Sequence, residues 1–142
     1  MKMTGLDHIG IAVYSINKAR AFYEDVLGLT FLHQETVEEQ KVTIALFQAG
    51  GVYLELIEPL TPDSPVRTFL DKKGEGLHHV AFLCSGLTDQ LQALSNRQID
   101  VIDRQPRQGA NGKQIAFISP RETNGVLVEL CEPKGDQDIE HE

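Results

Sequence analysis

The chain has 142 residues, of which 41% are hydrophobic and 24% charged, one domain's worth at ~100–200 residues per domain and far from the composition of a disordered segment. Thirteen Lys plus Arg against 21 Asp plus Glu leave a formal charge of -8, which argues against a protein built to grip duplex nucleic acid or an anionic membrane, because both need a large positive field. No apolar run approaches the ~18–20 residues of a bilayer span, the start lacks the apolar core of a secretion signal, and Cys84 and Cys131 have no CxxC partner. The expected address is therefore the cytoplasm, with both thiols buried and reduced.

Alternating apolar residues predict a first strand over residues 6–13, LDHIGIAV. Ser15 or Asn17 can cap a helix whose Ile16, Ala19, Tyr23 and Val26 recur at helical spacing, and Gly28 supplies a left-handed stop. Strands TFLHQE and VTIALF follow, and Gly50-Gly51 turns the second of these back into VYLELIEP as a hairpin. Residues 62–73, with Ser64 as cap and Pro65 at the first helical position, read as a short helical linker. LHHVAFLC opens a second series in which Leu87, Leu91 and Leu94 mark a helix and QIAFIS and VLVELCE the later strands, before a polar tail over 134–142.

The two series are copies. LDHIGIAV aligns His8 with His79 of LHHVAFLC, and VYLELIEP aligns Glu55 with Glu129 of VLVELCEP, at separations of 71 and 74 residues. The predicted fold class is α+β: a single domain over 1–142 made of two tandem βαβββ modules, about 5–59 and 76–133, joined by a helical linker over 60–75. A curved, mostly antiparallel sheet around a metal-containing cleft is expected. Along the first strand Ile9, Ile11 and Val13 share the face suited to packing the helix, whereas His8 shares the other with Gly10 and Ala12. Val80 and Phe82 likewise oppose His79 and Ala81, and Glu55 and Glu129 point away from their aliphatic neighbours. Two imidazoles and two carboxylates, one pair from each copy, would neutralise a divalent cation and leave positions for water or substrate. His33, His78 and His141 have no repeated counterpart and are read as structural or solvated.

With FYEDVLGLTF, VEEQKV, DSPVRTFLDKKGEGLHHVAF and GANGKQIAFISP in place over about residues 5–133, the chain resembles the vicinal oxygen chelate superfamily and within it the methylmalonyl-CoA epimerase family. The resemblance implies metal ligation by His8, His79 and Glu129 with Glu55 in the fourth position. The ion would be cobalt, manganese, zinc or nickel. It implies a catalytic acid/base at Glu39, with Glu38 the weaker candidate, acting with Glu129 on opposite faces of a carbon alpha to a thioester. An acyl-CoA substrate and a homodimer are implied partners. Lys41 departs from the family pattern, which has Gly there.

A glyoxalase-I-like isomerase would carry an Arg four residues after the first ligand His, where this chain has Ala12. Two His and a carboxylate also suit a ferrous dioxygenase. A non-catalytic drug-binding module would have no need of the four ligand positions. For the phosphates of coenzyme A, residues 97–121 hold Arg97, Arg104, Arg107, Lys113 and Arg121 against Asp100 and Asp103, and Lys72 and Lys73 make a second basic spot.

Overall fold

The computed structural model describes residues 2–134. Its chain divides into two compact units, His8–His78 and a second made of the residues up to Asp7 with those from His79 onward. The first unit receives β1 (Gly5–Ala12) at His8 and continues into α1 (Ile16–Arg20), which runs on as a π-helical turn over Ala21–Val26. Ser15 Oγ accepts from Lys18 N at 3.3 Å, making it the cap, and Gly28 ends the helical stretch at φ 75°. Then come β2 (Thr30–Val37), β3 (Val42–Ala49) and β4 (Val52–Pro59).

In this unit the strand order is β2–β3–β4–β1. β2/β3 and β3/β4 are antiparallel and β1/β4 parallel. The two-residue connection between Ala49 and Val52 is the expected hairpin, with Gly50 at φ 66°. Val13, Ile16, Ala45, Phe47 and Leu56 form a buried cluster against which Ile11, Ala19 and Tyr23 pack, so the aliphatic face of β1 and β4 does cover the helix. Glu58, three residues beyond Glu55, emerges on that same face and accepts the Ile16 N–H at 2.8 Å. α2 (Pro65–Lys73) closes the unit, with Ser64 Oγ accepting from Val66 N at 3.2 Å and Pro65 in its first turn.

The second unit repeats the plan with β5 (Gly76–Leu83), α3 (Leu87–Asn96), β6 (Arg107–Gln108), β7 (Gln114–Ile118) and β8 (Val128–Glu132), in the order β5–β8–β7–β6. β5/β8 is parallel and the other pairs antiparallel. Leu87, Leu91 and Leu94 of α3 bury against Ala116, Ile118 and Leu130. Glu132 stands where Glu58 stands in the first copy, and it accepts the Gly86 N–H at 2.6 Å and the Leu87 N–H at 3.3 Å. Each copy therefore ties the start of its helix to a carboxylate on its last strand.

Two expectations need correction. Val26 does not belong to the buried helix face, being 69% exposed. A π turn places more residues per turn than the 3.6 of an α-helix, so the phase slips after Arg20 and Val26 rotates outward. The second strand of the second copy is also reduced to the two residues of β6, after which a turn with Asn111 at φ 58° leads into β7. The tail beyond Lys134, and His141 with it, lies outside the described residues. Among the described residues no helix is long and apolar enough to cross a membrane.

Candidate functional site

Strand register puts a histidine and a glutamate together in each unit. In the first, Gly10 pairs with Glu55 across β1/β4 and Leu46 pairs with Glu55 across β3/β4, so these residues share one face with His8. His8 Nε2 lies 3.8 Å from Glu55 Oε1, and the two residues are 4% and 7% exposed. In the second, Ala81 pairs with Glu129 across β5/β8 and Phe117 with Glu129 across β7/β8. His79 Nε2 lies 3.4 Å from Glu129 Oε1, with both residues at least as deeply buried as the first pair. The His79 ring meets Phe117 edge to face, centroids 6.0 Å apart.

The correspondence extends to the neighbours. Gly10 and Ala81, each two residues after its histidine, lie beside the carboxylates in the ladder, and a side chain no larger than a methyl leaves room over the strand. Buried carboxylates need a compensating charge or hydrogen bonds, and a nitrogen and an oxygen donor held 3.4–3.8 Å apart twice over is a donor set suited to a divalent first-row metal.

Glu39 and Glu38 occupy a different position. Both are exposed on the single 3₁₀ turn Glu38–Gln40 between β2 and β3. The turn precedes Val42, four residues along β3 from the Leu46–Glu55 row, roughly 13 Å at strand rise. Register alone does not bring Glu39 to the His8–Glu55 pair.

Alternation in the sequence missed two residues on the Glu55 face. Phe31 pairs with Phe47 on the helix side, but a bulge follows and His33 pairs with Leu46, the partner of Glu55. His33 Nε2 then lies 2.9 Å from Glu35 Oε1, both side chains about one-third exposed. His78 lies against the α2 side chain Phe69. Its ring stacks edge to face on Phe69 at 5.0 Å, and burial, with Lys73 adding, lowers its pKa to about 4.

The basic stretch is largely neutralised within its own unit. Arg121 meets Asp100 at 2.6 Å, Arg107 meets Asp103 at 3.4 Å, and Lys113 Nζ meets the buried Asp7 Oδ2 at 2.6 Å. Among the described residues Arg107 Nε is buried with no hydrogen-bond partner. Cys84 and Cys131 are free and buried.

A family model described as the glyoxalase/bleomycin resistance protein/dioxygenase superfamily matches residues 7–117. The chain is 76% identical over 140 residues to the uncharacterized protein YqjC of Bacillus subtilis, covering 99% of this chain and 100% of that one. It is 36% identical to the mitochondrial methylmalonyl-CoA epimerase of Bos taurus over 126 residues, 88% of this chain and 72% of that one. A solved methylmalonyl-CoA epimerase in complex with methylmalonyl-CoA and NH4+ superposes with a TM-score of 0.89 at 34% identity, over 94% of this chain and 96% of that one. With the α+β fold of those epimerase structures and a family match over most of its length, this chain belongs to the glyoxalase/bleomycin resistance protein/dioxygenase superfamily.

Proposed function

We propose that this protein is a metal-dependent epimerase of methylmalonyl-CoA or a similar 2-substituted acyl-CoA. The observation that carries the reading is the buried His–Glu pair that recurs at the same register in both copies, His8 with Glu55 and His79 with Glu129. Epimerase relatives at 36% and 34% identity support the substrate class. Ala12, fully buried on the His8 side of β1 where glyoxalase-like enzymes have an Arg, disfavours a glutathione substrate. A homodimer in the cytoplasm belongs to the same proposal.

The four side chains would together hold one divalent ion, cobalt, manganese, zinc or nickel. Such an ion, when bound, stabilises negative charge as it develops on the thioester and carboxylate oxygens flanking the alpha carbon. The chain's own acids move the protons. Glu39 as carboxylate takes the alpha hydrogen from one face; the C–H bond breaks, its electron pair stays with the substrate, and Glu39 becomes a carboxylic acid. Glu129, starting the step as the carboxylic acid, gives its proton from the other face; its O–H bond breaks, a new C–H bond forms, Glu129 is left as carboxylate and the centre is inverted. Each acid then re-equilibrates with water, so no proton is gained or lost over a turnover.

Glu39→Ala and Glu129→Gln, assayed with one epimer of methylmalonyl-CoA, are expected to lose at least about a hundredfold in kcat, the usual contribution of a general acid or base. Full epimerisation with full solvent-deuterium exchange in Glu39→Ala would remove Glu39 from the mechanism.

A further inference from the structure

Lys41, the residue after the Glu38–Gln40 turn, sits in the left-handed region at φ 58°, ψ 43°. Its Cβ disfavours that conformation, and a non-glycine residue stays there only where its surroundings over-determine it. Three contacts within the His8–His78 unit do so. Lys41 N–H donates to Glu38 O at 3.0 Å and closes the turn. Leu60 N–H, from the segment just beyond β4, donates to Lys41 O at 2.9 Å. Lys41 Nζ meets Asp63 Oδ2 at 2.5 Å, and Thr61 Oγ1 donates to Asp63 Oδ1 at 2.6 Å. The ammonium, with Thr61 adding, holds the Asp63 carboxyl below the usual carboxylate range.

A glycine would take the same φ without strain and would close the same turn. What lysine adds is a side-chain anchor from that turn to Asp63, across the open end of the β3/β4 ladder whose last pair is Val42 with Pro59. Glu39 is exposed on the turn, so the conformation of the turn backbone governs where its carboxylate stands. We propose that Lys41 is a positioning residue, whose ion pair with Asp63 holds the 38–40 turn in the orientation that presents Glu39 to the substrate's alpha carbon. The proposal rests on the reading of Glu39 as a base.

Lys41→Gly keeps the turn and removes the side-chain anchor. In that variant the Tm stays level or rises and KM is unchanged, while kcat and alpha-hydrogen exchange in deuterium oxide fall by about tenfold to a hundredfold, the scale on which a misplaced catalytic group acts. Asp63→Asn reproduces the loss, and the double variant loses no more than Lys41→Gly alone, because both break one contact. A merely structural role would instead lower Tm and leave kcat of the folded enzyme intact. Wild-type kcat in Lys41→Gly, or losses that add in the double variant, overturns the proposal. Glu39→Gln separates the two claims. If it leaves exchange intact, the base assignment fails and the ion pair's positioning role with it; if it abolishes exchange while Lys41→Gly does not, the ion pair's role alone fails.

Discussion

Carboxylates three residues apart on a strand point to opposite faces, and this chain uses that twice. Glu55 and Glu129 turn toward a buried histidine, whereas Glu58 and Glu132 turn toward a helix. The thiols are governed by burial instead. Desolvation, with Glu132 adding, pushes the Cys84 pKa up from 9.0 to about 11. Ionisation then favours the unfolded chain, so this thiol's contribution to stability is fully present below about pH 9 and is lost as pH rises toward 11. Native protein at pH 8 is expected to react with a thiol reagent at Cys84 at least about a hundredfold more slowly than urea-unfolded protein, since two pKa units remove that much thiolate. Prompt labelling of native Cys84 would contradict this. At this scale the four ligand-type residues were legible because they recur in the repeat. His33 was not, because the bulge after Phe31 reverses its face and no residue pattern announces a bulge. Lys41 was legible as a departure from the family's glycine, but its left-handed backbone and its partner Asp63 were visible only in three dimensions.

Helix starts in both copies depend on an acceptor supplied from another element. α1 is five residues long before its π turn, too short to stand alone, and its Ile16 N–H is satisfied by Glu58 from β4. α3 begins after Gly86 with no side-chain cap of its own, and Glu132 from β8 accepts two of its first N–H groups. Glu58→Gln and Glu132→Gln are each expected to lower stability by about 1 kcal/mol, the usual worth of a helix cap. The loss should show as a lower urea midpoint with an unchanged m-value. Midpoints equal to wild type in both would mean that solvent satisfies these N–H groups as well as the carboxylates do. Helices and strands followed from periodicity, hairpin glycines and caps such as Ser64. The π turn and the two-residue β6 did not, because tertiary packing sets the phase of the first and the length of the second.

For the molecule as a whole, duplication is the organising fact. Each copy carries the same parallel pairing of its histidine strand with its glutamate strand, and each places a small residue beside the carboxylate. Neither copy alone offers more than two of the four ligands, so the proposed chemistry demands both, and a divalent ion offsets charge in a chain that otherwise stands at -8. The sequence expectation of a basic stretch at 97–121 is tempered by the pairing of Arg107, Lys113 and Arg121 with nearby acids. The central claim, metal-assisted proton exchange alpha to a thioester, is tested most directly by proton NMR of methylmalonyl-CoA in deuterium oxide. With protein loaded with a divalent ion, the alpha-hydrogen signal should disappear at a rate that a chelator abolishes and added ion restores, and the hemithioacetal of glutathione should show no exchange. A persistent alpha-hydrogen signal with metal-loaded protein, or exchange confined to the hemithioacetal, would contradict the account.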